Sequence, residues 1–243
     1  MWLLRTRPDL HFTIKLLCRF LKNATPQHVA IARGRPFRYL AGTPNYGIVF
    51  YPGKGNAGDG EWCLSGSCDA DLAGDLKTSR STIGGTLQLG KYGNVACRSS
   101  LEKKICTSTG QSETYACSSL GKEVIWTRHL LRDLLCPQRK PTGVQTDNDG
   151  VFKQSTKAIN HATAKHYRIA QAFIRQICST LIMKMVRVDT TRNQSDVLTK
   201  ALGTGPFQTH RLAIMGPQEV PTEAKTWSLI SRPWEWAKSR FQS

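Results

Sequence analysis

Along residues 8–22 the apolar positions Leu10, Ile14, Leu17 and Leu21 recur at helical spacing, which predicts an amphipathic helix. Thr25-Pro26 then carries a helix-start signal, with Thr25 as cap and Pro26 in the first turn. That second helix runs through the basic stretch Arg33–Arg38 to Tyr39-Leu40, and Gly34 and Pro36 predict a break or kink on the way. Two helices of about 15 residues bury no core of their own. The segment is therefore expected to be a piece of something larger, or an arm lying on the next domain. Tyr46–Tyr51 is a short apolar run that suits a strand. Gly53–Gly60 follows without a Gly-Lys-Ser/Thr ending, so it reads as a flexible linker and not as a phosphate-binding loop. A domain boundary is expected there.

From Glu61 the pattern changes to short apolar runs alternating with helical stripes. Trp62–Ala70 predicts a first strand, and Thr82–Gly90 and Asn94–Ser99 predict a hairpin around Lys91-Tyr92-Gly93. After Ser108-Thr109-Gly110 comes the longest helical pattern, to Leu135, with Glu113, Cys117, Leu120, Val124, Leu131 and Leu135 on one face. Pro141–Asp147 reads as a strand, Val151–Lys157 and Thr163–Ser179 as helices, and Leu181–Val188 as a last strand. Asn193–Asp196 opens a helix over Val197–Leu202. Beyond Gly203 no periodicity is legible, and Trp227, Trp234 and Trp236 fall in that tail.

Composition narrows the partners. The 243 residues carry a net charge of +17. Nine basic residues stand against one acidic over 1–55, and 20 against 13 over 56–203. Such a chain favours polyanions, nucleic acid first. No run approaches the roughly 18 to 20 apolar residues of a membrane span, and no basic amphipathic helix stands free of the fold, so no membrane partner is expected. The N-terminus is too soon charged for a signal peptide. The eight cysteines lie mostly inside apolar runs without a Cys-x-x-Cys pair, which points to a reducing compartment, cytoplasmic or nuclear and not secreted. The same spacing speaks against zinc.

The chemistry is carried by acids in unusual places. Asp69 ends a strand, Glu113 sits on the buried stripe of a helix, Asp147 ends another strand and Asp196 lies at the start of a terminal helix. Fixed carboxylates at a sheet end are costly unless a cation receives them. Acids converging on one end of a sheet can hold two Mg²⁺ ions, one activating a water and one stabilising a leaving phosphodiester oxygen. Their wide scatter along the chain excludes a compact calcium loop.

Six motifs in order then carry a resemblance. They are Asp69-Ala-Asp-Leu-Ala-Gly-Asp75, Arg80-Ser-Thr-Ile-Gly84, Ser108-Thr-Gly-Gln-Ser-Glu113, Thr146-Asp-Asn148, Thr163-Ala-Lys-His166 and Ser195-Asp-Val-Leu-Thr-Lys200. Together they resemble the ribonuclease H domain of Ty1/copia-type retrotransposon polyproteins. Arg7-Pro-Asp-Leu10, Arg38-Tyr-Leu-Ala-Gly-Thr43 and Tyr46-Gly47 resemble the end of the reverse transcriptase and its connection. The resemblance covers about residues 3 to 203. It implies an α/β, ribonuclease H-like fold, a mixed five-stranded sheet flanked by helices with a small N-terminal helical segment. Residues 1–55 would be the helical remnant of the reverse transcriptase and connection, 61–203 the ribonuclease H-like domain, and 204–243 a tail of unknown structure. The implied activity is hydrolysis of the RNA strand of RNA·DNA hybrids by two ions, Mg²⁺ or Mn²⁺. Asp69, Glu113, Asp147 and Asp196 would be both catalytic residues and metal ligands, with Asp71 outside the set. The implied partners are the hybrid and the rest of the reverse transcriptase; the implied setting is the cytoplasm, within a virus-like particle, or the nucleus.

The sequence departs from the family where Leu72 and Cys97 stand in place of usual tryptophans, and Asp149 in place of a glutamine or glutamate. The alternative reading is a catalytically inactive module that keeps the fold and binds nucleic acid. The intact set of four acids favours the nuclease.

Overall fold

The computed structural model describes residues 3–51, 62–156 and 167–218. The Gly53–Gly60 linker, Lys165 and His166 with the start of the helix expected from Thr163, and the tryptophans of the tail lie outside these residues.

Five strands form one sheet: β1 (Leu64–Asp75), β2 (Arg80–Leu89), β3 (Gly93–Leu101), β4 (Thr142–Thr146) and β5 (Met183–Arg187). Their order is β3-β2-β1-β4-β5. The first three pair antiparallel, while β4 joins β1 and β5 joins β4 in parallel. This is the mixed five-stranded, helix-flanked sheet that the resemblance implies. The α-helices number eight among the described residues: α1 (Leu3–Thr6), α2 (His11–Cys18), α3 (Pro26–Gly42), α4 (Thr109–Asp133), α5 (Asp149–Thr156), α6 (Arg168–Ser179), α7 (Asp196–Thr199) and α8 (Thr204–Met215).

Two apolar layers sandwich the sheet. On one face Cys117, Leu120 and Val124 of α4, Val151 of α5 and Ile174 and Ile177 of α6 pack on Leu64, Cys68, Leu87, Val144 and Met185 of the strands. The alternation of β1 explains which residues go there, since Leu64, Cys68 and Ala70 join this core. Ser67 and Asp69, one register apart, meet Ser195 and Thr199 of the opposite layer. That second layer holds Val197, Leu198, Ile214 and Met215, with Tyr46, Cys97 and Phe207 against them.

Several elements differ from the sequence expectation. The first helix stops at Cys18, and Leu21, on the expected apolar stripe, is 75% exposed in a short 3-10 turn. α3 runs unbroken through Gly34 and Pro36 to Gly42, and the proline is its one buried residue, so packing of the ring offsets the lost backbone bond. Tyr46–Tyr51 forms no strand; it is tied by single backbone bonds, Val49 N–H to Met215 O (2.8 Å) and Lys91 N–H to Tyr51 O (2.9 Å). α4 ends two residues before Leu135. There Cys136 N–H donates to Leu131 O and Leu135 N–H to Arg132 O, closing the helix with Leu135 at φ 61° and 91% exposed. The region after Gly203, read as a tail without periodicity, begins with the 12-residue α8.

The N-terminal segment docks on this body. Arg7 donates to both carboxylate oxygens of Asp9 (3.1 and 2.8 Å) and to Thr43 O (3.0 Å), and both ions are buried. Tyr39 donates to Asp9 Oδ2 (2.6 Å) and accepts from Arg211 of α8 (3.3 Å). Further along, Lys15 donates to Thr82 (2.7 Å), and Arg19 pairs with Asp75. The Arg7→Met substitution leaves Asp9 buried without its cation. It is expected to cost about 3–5 kcal/mol in urea denaturation, and a loss below about 1 kcal/mol would show that the pair does not stabilise the docked state.

Candidate metal centre

The register of the parallel strands prepares the site. Ser67 pairs with Gln145, so Asp69 and Asp147 each stand two residues further along neighbouring strands that run the same way. Asp69 is 1% exposed, and Asp147 follows directly on the last residue of β4. Glu113 comes from α4, whose start is held by Gln111 N–H donating to Ser108 Oγ (3.2 Å). Its position at the head of the buried stripe turns the carboxylate toward the sheet end. One oxygen from each of Asp69, Glu113 and Asp147 lies within 4.8 Å of the others.

Asp196 stands outside that trio but beside it. α7 brings it close through Gly84, which pairs with Asp69 on β2: a Cβ there would meet Thr199 Cγ2 at 2.7 Å and Leu198 Cβ at 2.8 Å. With no side chain in the way, α7 lies directly on the strand. Thr199 donates to Asp69, and the Ser67 and Ser195 hydroxyls are 2.5 Å apart. Lys200 then reaches Asp196 Oδ1 (3.3 Å) and Asp69 Oδ2 (3.5 Å).

Besides Thr199, two residues in contact with these acids are not among the sequence candidates. Asn193 is fully buried and its amide donates both to Cys68 O (3.1 Å) and to Asp147 Oδ1 (3.3 Å), pinning the carboxylate to the strand. Lys200 is the other, and its spacing of four residues from Asp196 is the signal that could have found it. Asp71 folds back over Gly74, where a Cβ would collide with its carboxylate, and takes no part in the trio. Asp149 instead pairs with Arg187 (2.5 Å).

The electrostatics are those of a site short of positive charge. Burial, reinforced by the charges of Asp69 and Asp147, pushes the Glu113 carboxyl up to about 9. Burial and the Asp69 charge push Asp196 up to about 6, against the pull of Lys200. Glu113 Oε2 is buried without a hydrogen-bond partner. Hard oxygen donors from three elements, one of them orphaned, suit a divalent cation such as Mg²⁺ or Mn²⁺. The group could hold such a metal.

No family model matches the chain. It is similar to the retrovirus-related Pol polyprotein from transposon RE1 of Arabidopsis thaliana, 32% identical over 89% of this chain and 14% of that protein. It is also similar to the one from transposon TNT 1-94 of Nicotiana tabacum, 29% identical over 84% of this chain and 14% of that protein. The chain thus spans about one seventh of the length of these relatives. Half of it is 35% identical to 80% of the secreted RxLR effector protein 161 of Plasmopara viticola. Among solved structures, RNase H1 of the halophilic archaeon Halobacterium salinarum matches 56% of this chain and 93% of that one, at 17% identity and a TM-score of 0.42.

A carboxyl with a raised native pKa stabilises the fold below its ordinary value of 4.5, and that stability is lost as pH climbs toward about 9. The melting temperature of the chelator-treated protein is therefore expected to fall between about pH 5 and pH 9. Mg²⁺ should remove much of that fall, and Glu113→Gln should flatten it without metal. A flat wild-type profile in chelator would contradict the buried-acid account.

Proposed function

Because the chain belongs to the retrovirus-related Pol polyproteins of copia-type transposons, we propose that it is their ribonuclease H domain, an endonuclease for the RNA strand of RNA·DNA hybrids. The observation that carries this reading is the gathering of Asp69, Glu113 and Asp147 at the end of parallel strands, with Glu113 Oε2 left unpaired. Asp69, Glu113, Asp147 and Asp196 would hold two Mg²⁺ or Mn²⁺ ions. When bound, the ions supply an activated water and charge stabilisation at the leaving oxygen of a phosphodiester.

The remaining work falls to the protein's own groups. Asn193 and Thr199 fix Asp147 and Asp69 before any ligand arrives, which limits the reorganisation needed on binding. Glu113, protonated near neutral pH, must release its proton to become a ligand, so metal affinity should rise with pH. The basic surface meets the sugar-phosphate backbone, and recognition of a hybrid rests on backbone and 2′-hydroxyl contacts instead of base sequence. The rest of the reverse transcriptase would be the natural neighbour of the docked N-terminal segment.

The test is cleavage of a labelled RNA·DNA hybrid by the full chain, with duplex DNA and duplex RNA alongside. Metal-dependent cutting of the RNA strand alone is expected, and Asp147→Asn should lower it by at least about 100-fold. A folded protein that binds hybrid without cutting it would favour the inactive module, and unchanged cleavage by Asp147→Asn would refute the ligand assignment.

A further inference from the structure

Among the described residues, Lys200 is the cation paired with the acids of the centre, and it touches two of them at once, Asp196 Oδ1 at 3.3 Å and Asp69 Oδ2 at 3.5 Å. We propose that its ammonium is a built-in counter-ion that holds the Asp69–Asp196 pair in the metal-free protein and competes with a divalent cation for that pair. Resting on the reading of these acids as metal ligands, it means the substrate-free chain takes one ion, on Asp69, Glu113 and Asp147. A second is admitted when the ammonium withdraws.

The geometry supports exchange in both directions. Asp69 is buried and belongs to both sets, so the same carboxylate faces the trio and the lysine. A monovalent charge this close to Asp69 and Asp196 offsets their desolvation, but it repels any second positive charge brought to the same oxygens. Lys200 can also leave. It is the residue at which α7 ends, its backbone is already extended (φ −126°, ψ 154°), and its side chain is 35% exposed on a flexible stem. A helix-interior lysine, or one sealed in the core, would have no such path.

What draws it out is an anion. A backbone phosphate arriving at the sheet end gives the ammonium a competing partner at the solvent side of its present position. Substrate would thereby free the Asp69–Asp196 pair as it binds. Completion of the metal set is then tied to occupancy, and the idle protein is spared a fully loaded hydrolytic centre. Lys200 is a positioning residue in this scheme, acting on the reaction through Asp69 and Asp196.

The decisive measurement is Mn²⁺ titration of the full chain without nucleic acid, by calorimetry and by electron paramagnetic resonance, for wild type, Lys200→Met and Asp147→Asn. Wild type should take one ion. Lys200→Met should take a second, with affinity at the Asp69–Asp196 pair raised about tenfold or more. In chelator the same variant should melt below wild type, since Asp69 loses its cation. Lys200→Gln, which keeps the stem and a hydrogen-bond donor, should repeat the gain of the second ion, and it stands in if the methionine variant does not fold. Unchanged or weaker Mn²⁺ binding in the folded lysine variants overturns the counter-ion role. Wild type that binds no Mn²⁺, or Asp147→Asn that binds as wild type does, overturns instead the assignment of the acids as ligands.

Discussion

Carboxylates crowded into a low-dielectric corner repel one another, and most of this architecture can be understood as the means of holding them there. Oxygens of Asp69, Glu113 and Asp147 come within 4.8 Å of each other with no cation in direct contact with Glu113 among the described residues. The parallel pairing of β1 with β4 brings two of them level. The long apolar face of α4, sunk into the core through Cys117, Leu120 and Val124, drives the third against the strand ends by packing alone. A glycine opposite Asp69 admits α7 and, with it, Asp196 and Lys200. Hydrophobic burial on both faces of the sheet supplies the stability that the acids oppose.

Much of this is legible in the order of residues along the chain, for physical reasons. β1 and β2 are visible as runs whose residues are buried almost without interruption, α4 because its buried residues recur at helical spacing, and the hairpin because Lys91-Tyr92-Gly93 separates two runs. The acids stand out as charges at positions whose neighbours are core residues. What escapes detection depends on partners distant in sequence. α8 shows no stripe because its buried residues, His210, Ile214 and Met215, cluster toward one end, and its start, Gly205-Pro206, looks like a loop. A proline in a first helical turn needs no donor, so the chain continues helically past it. Leu21 and Leu135 fit their stripes by spacing, yet both lie past the last helical residue, where period no longer says anything about burial. Asn193 reads from sequence only as a helix-opening residue; its real work, joining Cys68 to Asp147, emerges only when strands 125 and 46 residues away along the chain are brought beside it.

The docked N-terminal segment has a mechanical meaning. Gly47 and Gln218 exchange two hydrogen bonds of 2.9 Å, Val49 is tied to Met215, and Tyr39 is linked to Arg211. Residues 39–49 are thus latched to residues 211–218, at the C-terminal end of the described chain. A pull along the chain at Gln218 would meet these bonds and α8 first, while the carboxylates are carried by the strand ends and α4.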